Sequence, residues 1–453
     1  MRAESGRRLP RARSRADGTT LSCVYVIVLT IIPSGLVIQG LPLSITPATL
    51  VALFLTLCCL CAHITQTLGM AKGRNPVRTA VSLFALSLVA SYAYGNYSYL
   101  ESDEVNQADR TLVIVVALVG VTLLICDGVR TRERIDTLLR TVTVAVAIVC
   151  LIGALQFIAK IDLTRYLVLP GLKDSSVVIG QVDDRSGFSR VQSTTSSPIE
   201  FGVLCAMILP LPLHYAYRAR TEGTTAWGWY LSSALIASGL LFSVSRSAVL
   251  GVGAAGIVLI TSWSMRRRLT ALLVAGGFLA VSKVAFPGLL STFIGLFQNI
   301  SSDSSVSYRT QRYPIAAQEI SKDLWFGRGV GTWYFPKHFA LDNQYIMTLI
   351  ESGIIGFSVL VGLYLTGIVT ALRTALLSHT QRDRDLAMTL MASASVPVVG
   401  SVTFDLLSFR TLEGLLFVVI GVIGAFCRII RSEAAPSSPP AHTRRVELER
   451  AHG

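Results

Sequence analysis

Arg246, in Ser-Val-Ser-Arg-Ser-Ala (243–248), is a permanently charged side chain set between two long apolar runs with almost no polar connection around it. A guanidinium so placed has two uses. It can hold phosphate oxygens in a bidentate fork inside a cavity, or it can reach toward lipid headgroups along the surface. Arg309 and Arg312, in Tyr-Arg-Thr-Gln-Arg-Tyr-Pro (308–314), offer the same fork twice, against the plainer reading of solvated loop charges. Asp342 and Asn343 open another apolar run, in Leu-Asp-Asn-Gln-Tyr-Ile (341–346). Asp342 is expected to cap the helix that follows, where an acid is stabilised by about 0.3–1 kcal/mol, and the same carboxylate can accept a proton. Glu351 lies about 13.5 Å further along that helix, where an acid in apolar surroundings needs a partner or a proton. Asp405 and Arg410 flank a short turn in Phe-Asp-Leu-Leu-Ser-Phe-Arg (404–410) and are expected to pair across it.

Other patterns carry blander expectations. Phe-Gly-Arg-Gly-Val-Gly (326–331) follows no strand, so it is not a nucleotide loop. Trp325, Trp333, Tyr334, Phe335 and Phe339 cluster nearby and are expected as interface anchors before sugar-stacking platforms. His338 and Asp342 are spaced to share a helix face, but two ligands do not make a metal site. No metal and no cofactor is expected.

What must position these residues is a membrane-embedded helix bundle. Of 453 residues, 52% are hydrophobic and 15% charged, and the apolar ones come in blocks near ~20 long, which a soluble core does not require. Lys and Arg number 40 against 27 Asp and Glu, yet they are scattered between apolar blocks, which argues against a nucleic-acid partner. The eight cysteines sit in or beside apolar blocks and suggest no disulfide framework. The reading is an all-α polytopic membrane protein with about 12 transmembrane helices, at roughly 21–39, 45–68, 77–98, 111–127, 137–159, 198–217, 227–243, 246–264, 269–290, 343–372, 385–405 and 411–430. Residues 1–20 form a basic tail, 21–430 the transmembrane domain, and 431–453, with Pro436, Pro439 and Pro440, a polar disordered tail. Assigning alternate connections to one side gathers the Lys and Arg excess with both termini, which puts the N- and C-termini in the cytoplasm. Two long connections then face outward, at about 160–197 and about 291–342. The second contains a helical pattern from Pro314 to Trp325, with proline at its start. No repeat of hydropathy is present, which weakens a transporter built from duplicated halves.

Three segments together resemble the O-antigen ligase and polymerase family. They are Ser245-Arg246-Ser247-Ala248 leading into a glycine-rich run, Arg309 with the following helix and Asp323-Leu-Trp-Phe-Gly-Arg-Gly-Val-Gly331, and Asn343 followed after nine residues by Gly353-Ile-Ile-Gly356. The resemblance covers roughly residues 185–425, the earlier spans matching only in general character. It implies a GT-C-like membrane glycosyltransferase of the bacterial cytoplasmic membrane, acting at the outer face in cell-surface polysaccharide biosynthesis. The donor is then a polyprenyl-pyrophosphate-linked glycan and the acceptor a glycan or lipid-anchored glycan, with membrane lipids as surroundings. The reaction is expected to be inverting and metal-independent. Asp342 stands where the family has a histidine proposed as base. In this reading Arg246 and Arg309 contact the pyrophosphate, Arg185, Arg190 and Arg312 help, Asn343 and Glu351 belong to the substrate site, and Asp342 orients or deprotonates the acceptor. The competing readings are a 12-helix transporter or flippase for a lipid-linked or anionic substrate, whose polar groups should lie near the midplane, and a noncatalytic assembly protein of the same shape.

Overall fold

The computed structural model describes residues 17–434 apart from 66–73, 99, 162, 167–168, 175–183, 186–187 and 299–303. The helices are α1 (Gly18–Ile31), α2 (Pro47–Ile64), α3 (Pro76–Tyr97), α4 (Ser102–Gly128), α5 (Arg132–Ala159), α6 (Pro198–Ile208), α7 (Pro210–Thr221), α8 (Trp227–Phe242), α9 (Arg246–Ser262), α10 (Met265–Ala285), α11 (Leu289–Gln298), α12 (Ser304–Lys322), α13 (Gln344–Leu377), α14 (Gln381–Gly400) and α15 (Arg410–Ala434). Among the described residues eight segments are long and apolar enough to cross a membrane: α2, α3, α4, α5, α6 with α7, α10, α13 and α15. Three shorter apolar helices, α1, α8 and α9, join them. Two antiparallel pairs complete the fold: β1 (Leu36–Ile38) on β2 (Leu172–Asp174), and β3 (Asp184–Arg185) on β4 (Phe188–Ser189).

Local chemistry explains where these elements depart from the apolar blocks. The first block ends early as a helix because Pro33 follows Ile32 and disfavours helical geometry there. Its remainder turns into β1, whose Val37 is buried. α4 begins well before its apolar run because Glu101 and Glu104 form a reciprocal capping box. The block near 198–217 is divided at Leu209, where Pro210 opens α7. α15 reaches Ala434 and so includes the first residues assigned to the polar tail, whose remainder lies outside the described residues. Pro314 lies inside α12 instead of at its start. The amide bond that proline removes leaves the carbonyl of Thr310 over, and Thr310 is exposed to solvent.

α15 is the axis. Its apolar stretch is 94% buried, against 6% for the peripheral α10, as expected for a helix apolar all round. Gly421 and Gly424 bring it against Ile125 and Cys126 of α4. One end of the bundle is closed by ion pairs: Asp136 with Arg218 at 2.7 Å and Arg382 at 3.0 Å, Asp385 with Arg267 at 3.3 Å, and Asp383 with Arg132 at 3.0 Å. The candidate site lies at the other end.

Candidate functional site

At that other end α13 begins, and its start is unusually well tied. Asn343 is the N-cap: its side-chain oxygen accepts from the amides of Tyr345 and Ile346 at 3.0 and 3.1 Å, and its amide donates to the carbonyl of Val402 at 3.0 Å. The Gln344 amide donates to the Ser401 and Phe404 carbonyls. Asn343, not Asp342, therefore caps the helix, and all its polar atoms serve that purpose. A planar amide can accept from the helix and donate to the neighbouring turn at once, which a carboxylate cannot. Asp342 stands one residue ahead, half-buried.

A break in the same helix builds the second part of the site. At Gly353 the backbone leaves helical geometry (φ 63°, ψ −165°), and the connection after α12 fills the gap. The amides of Arg328 and Gly329 donate to the carbonyls of Ile350 and Glu351, and those of Ile354 and Ile355 donate to Leu324 and Trp325. Phe-Gly-Arg-Gly-Val-Gly is thus a wedge that substitutes for a turn of α13. Its far side is strapped to the capped start of α4. Arg328 pairs with Glu104, Tyr334 donates to Asp103, and Lys337 pairs with Glu101 at 2.9 Å and Asp103 at 3.0 Å. Burial holds the His338 imidazole below its ordinary pKa, against the pull of Glu104.

Between wedge, α4, α13 and α15 lies a cavity of about 360 Å³. Glu351 lines it, with a side-chain oxygen accepting from the Trp333 amide at 3.2 Å. Asp405 and Arg410 line it too, yet among the described residues no ion pair joins them. The Asp405 carboxyl instead takes a hydrogen bond from Ser408, and burial pushes it up to about 7, with Asp342 adding in the same direction. Arg110 of α4 and Glu413 of α15 complete the charged lining. Trp333 is 5% exposed, stacked on His338 at 4.3 Å, so it is a packed part of the wedge and not an interface anchor. Phe335 and Trp325 remain exposed. His338 and Asp342 share no helix, since the chain from Gly331 to Asn343 contains none.

Of the charged residues singled out by sequence, Glu351, Asp405 and Arg410 line the cavity, and Asp342 and Asn343 stand beside it. Arg312 donates to the Ala340 carbonyl at 3.3 Å and lies 5.0 Å from the Phe339 ring centre, fastening α12 to the wedge. Arg246 is the first residue of α9. Ser243 and Ala248, on either side of it, pack on Gly202, and the next residue, Val203, packs on Gly400, two residues before the Val402 that bonds Asn343. Arg246 therefore stands toward the same end as Asn343. Arg190 is half-buried there, since the next amide, of Val191, donates to Phe242 at the end of α8. The side chains of Arg185 and Arg309 lie outside the described ones.

Sequence reading passed over Arg110, Glu413 and Glu200. Each is a charge in or at the edge of an apolar block, the signal that picked out Glu351. Glu200 is fully buried and accepts from the amides of Thr411 and Leu412 at 2.9 and 3.2 Å, fixing the start of α15 beside the cavity. No curated protein matches the chain. Residues 231–361 match the family model described as O-Antigen ligase, and Arg246, Arg309, Arg312, Asp342, Asn343 and Glu351 all fall inside them, so the resemblance to that family holds for the part of the chain that carries these residues.

Proposed function

We propose that this protein is a membrane glycosyltransferase that ligates or polymerises lipid-linked glycans at the outer face of the bacterial cytoplasmic membrane. The observation that carries the proposal is the position of Asp342, inside the ligase-like region, one residue ahead of the capped start of α13 and beside a charged cavity. In this reading the chain crosses the membrane twelve times, with both termini cytoplasmic, and the wedge end faces outward.

The reaction balances simply. An acceptor hydroxyl oxygen bonds to the anomeric carbon of the donor, on the face opposite the leaving group. The bond from that carbon to the pyrophosphate oxygen breaks, and polyprenyl pyrophosphate departs with the electron pair. Asp342 takes the hydroxyl proton. A carboxylate can accept that proton, though it is a weaker base than imidazole. Arg246 and Arg309 hold the pyrophosphate charge that grows as the bond breaks, with Arg185, Arg190 and Arg312 around them. Guanidinium groups supply this stabilisation without a metal. Asn343 and Glu351 act by position: one caps α13 beneath Asp342, and the other holds the wedge.

The test is reconstitution of the purified protein in liposomes with a polyprenyl-pyrophosphate oligosaccharide and a glycan acceptor. New glycosidic product with release of polyprenyl pyrophosphate is expected. Movement of the donor across the bilayer with no product would instead establish the transporter reading.

A further inference from the structure

The cavity is lined by two arginines and three carboxyl side chains. Arg110, in the early turns of α4, and Arg410, at the start of α15, both line it. Among the described residues neither forms an ion pair, although Glu351, Asp405 and Glu413 line the same walls. Elsewhere at this end cations do find their acids, as Arg328 does with Glu104 and Lys337 with Glu101 and Asp103. Here two of the three carboxyls are directed to other tasks, Glu351 accepting from the wedge backbone and Asp405 from Ser408, and Glu413 forms no ion pair among the described residues. An arginine withdrawn from bulk water without a counter-charge is costly, so a site that keeps two of them open is built to receive an anion. The remaining walls suit a sugar: the apolar Phe84 and Leu88, the aromatic Tyr334 and Phe335, and polar Gln107 and Gln344. The volume of about 360 Å³ sits at the small end of ligand pockets, about 300–1,000 Å³, which suits one or two sugar units and not a lipid.

We propose that this cavity is an acceptor subsite and that Arg110 and Arg410 select a glycan whose terminal unit is a carboxylate-bearing sugar. The inference rests on the transferase reading. Its geometry fits that reading, because the cavity lies beside Asp342, where an acceptor hydroxyl must be, while Arg246 is not among its described lining residues. Two guanidinium forks on one carboxylate fix the orientation of the sugar ring as well as its charge. Arg110 and Arg410 are thus specificity-determining residues, distinct from those assigned to the donor.

The experiment is equilibrium binding to the purified full-length protein in nanodiscs, with no donor and no turnover. The probe is a fluorescently labelled oligosaccharide ending in glucuronic acid, compared with its carboxyl-reduced, neutral counterpart. The acidic form is expected to bind about ten- to a hundred-fold more tightly, the range for a charge-assisted bidentate contact. Arg110→Gln and Arg410→Gln should each bring it close to the neutral form, and Arg110→Lys should restore part of the preference. Thermal unfolding of each variant separates lost binding from lost fold. Equal binding of the two sugars by the wild type would overturn the proposal, as would a preference that survives both Gln variants. Displacement of the acidic sugar by sugar-free polyprenyl pyrophosphate would overturn it too, by giving the cavity to the donor. Because the readout is binding, a wild type that prefers the acidic sugar but transfers nothing would refute the transferase reading alone. A wild type that transfers neutral and acidic acceptors equally would refute only the subsite.

Discussion

Replacing Gly353 with alanine tests whether the break in α13 is what holds the wedge. A Cβ at Gly353 would lie 2.3 Å from the Trp325 carbonyl oxygen, 2.4 Å from its carbon and 2.7 Å from the Phe326 nitrogen. All three are backbone atoms and cannot rotate aside. The backbone itself, at φ 63° and ψ −165°, lies in a region that is almost exclusively glycine's and costs another residue about 1–3 kcal/mol. Relieving the overlap means separating the two segments and losing their four backbone hydrogen bonds, each worth about 0.5–1.5 kcal/mol net. The wedge should therefore lose at least about 3 kcal/mol. α13 has a way out that the wedge lacks, since it can close into a continuous helix and satisfy its own carbonyls. The expected phenotype is an intact bundle with a released wedge. Tryptic cleavage at Arg328 and Lys337, followed by mass spectrometry of the purified protein, reads this directly. A cost of about 3 kcal/mol raises cleavage there about a hundred-fold, provided that opening is fast relative to proteolysis. Gly362→Ala is the control, because it lies on the same helix with nothing within 4 Å of its Cβ. It should leave cleavage unchanged and favour the helix by about 0.5–1 kcal/mol. A Gly353→Ala protein cleaved at the wild-type rate would refute the reasoning.

Three further outcomes follow from the same geometry. Asn343→Ala removes the α13 cap and the bond to Val402 and should cost about 1–3 kcal/mol in chemical unfolding in detergent; an unchanged unfolding midpoint would contradict that role. Asp136→Asn leaves Arg218 and Arg382 facing a neutral amide and should cost about 3 kcal/mol, whereas a loss below about 1 kcal/mol would make the cluster a solvated surface. Asp405, lifted to about 7 by burial, binds its proton more tightly folded than unfolded, so its contribution to stability is full below about pH 4. That contribution is lost as pH rises toward and through 7. Asp405→Asn should flatten this slope in thermal melts at pH 5 and 8 and be the more stable protein at pH 8; superimposable wild-type and variant profiles would exclude Asp405 as its source.

Most helices were legible because an apolar block is visible in one dimension, and eight segments among the described residues are long and apolar enough to cross a membrane. Their ends were less so. Pro33 shortened α1, and the capping box of Glu101 and Glu104 lengthened α4, each a local signal that hydropathy does not weigh. Pro314 was misjudged because a proline at a helix start and one inside an exposed helix read alike from sequence. In the site, Glu351 and Asp342 stood out as charges against an apolar background. Arg110 and Arg410 lie in the same cavity although 300 positions separate them, and nothing local signals that convergence. The glycines of residues 326–331 were visible as a pattern, but their use, filling a break in α13 at Gly353, depends on two segments meeting. The expected Asp405–Arg410 pair failed for a related reason: the adjacent residues face a cavity, and Ser408 reaches the carboxyl first.

Joint action of Asp342, Arg246 and Arg309 in glycosyl transfer, as proposed, is tested most directly by one measurement. Single-turnover product formation from a polyprenyl-pyrophosphate oligosaccharide is followed for the wild type and for Asp342→Asn, Arg246→Ala and Arg309→Ala, with thermal unfolding confirming that each variant folds. A general base contributes about 10²–10⁴-fold and an electrostatic contact to the leaving group about 10²–10³-fold, so each variant should lose at least about a hundred-fold in rate. Folded variants that all transfer at the wild-type rate would contradict the account.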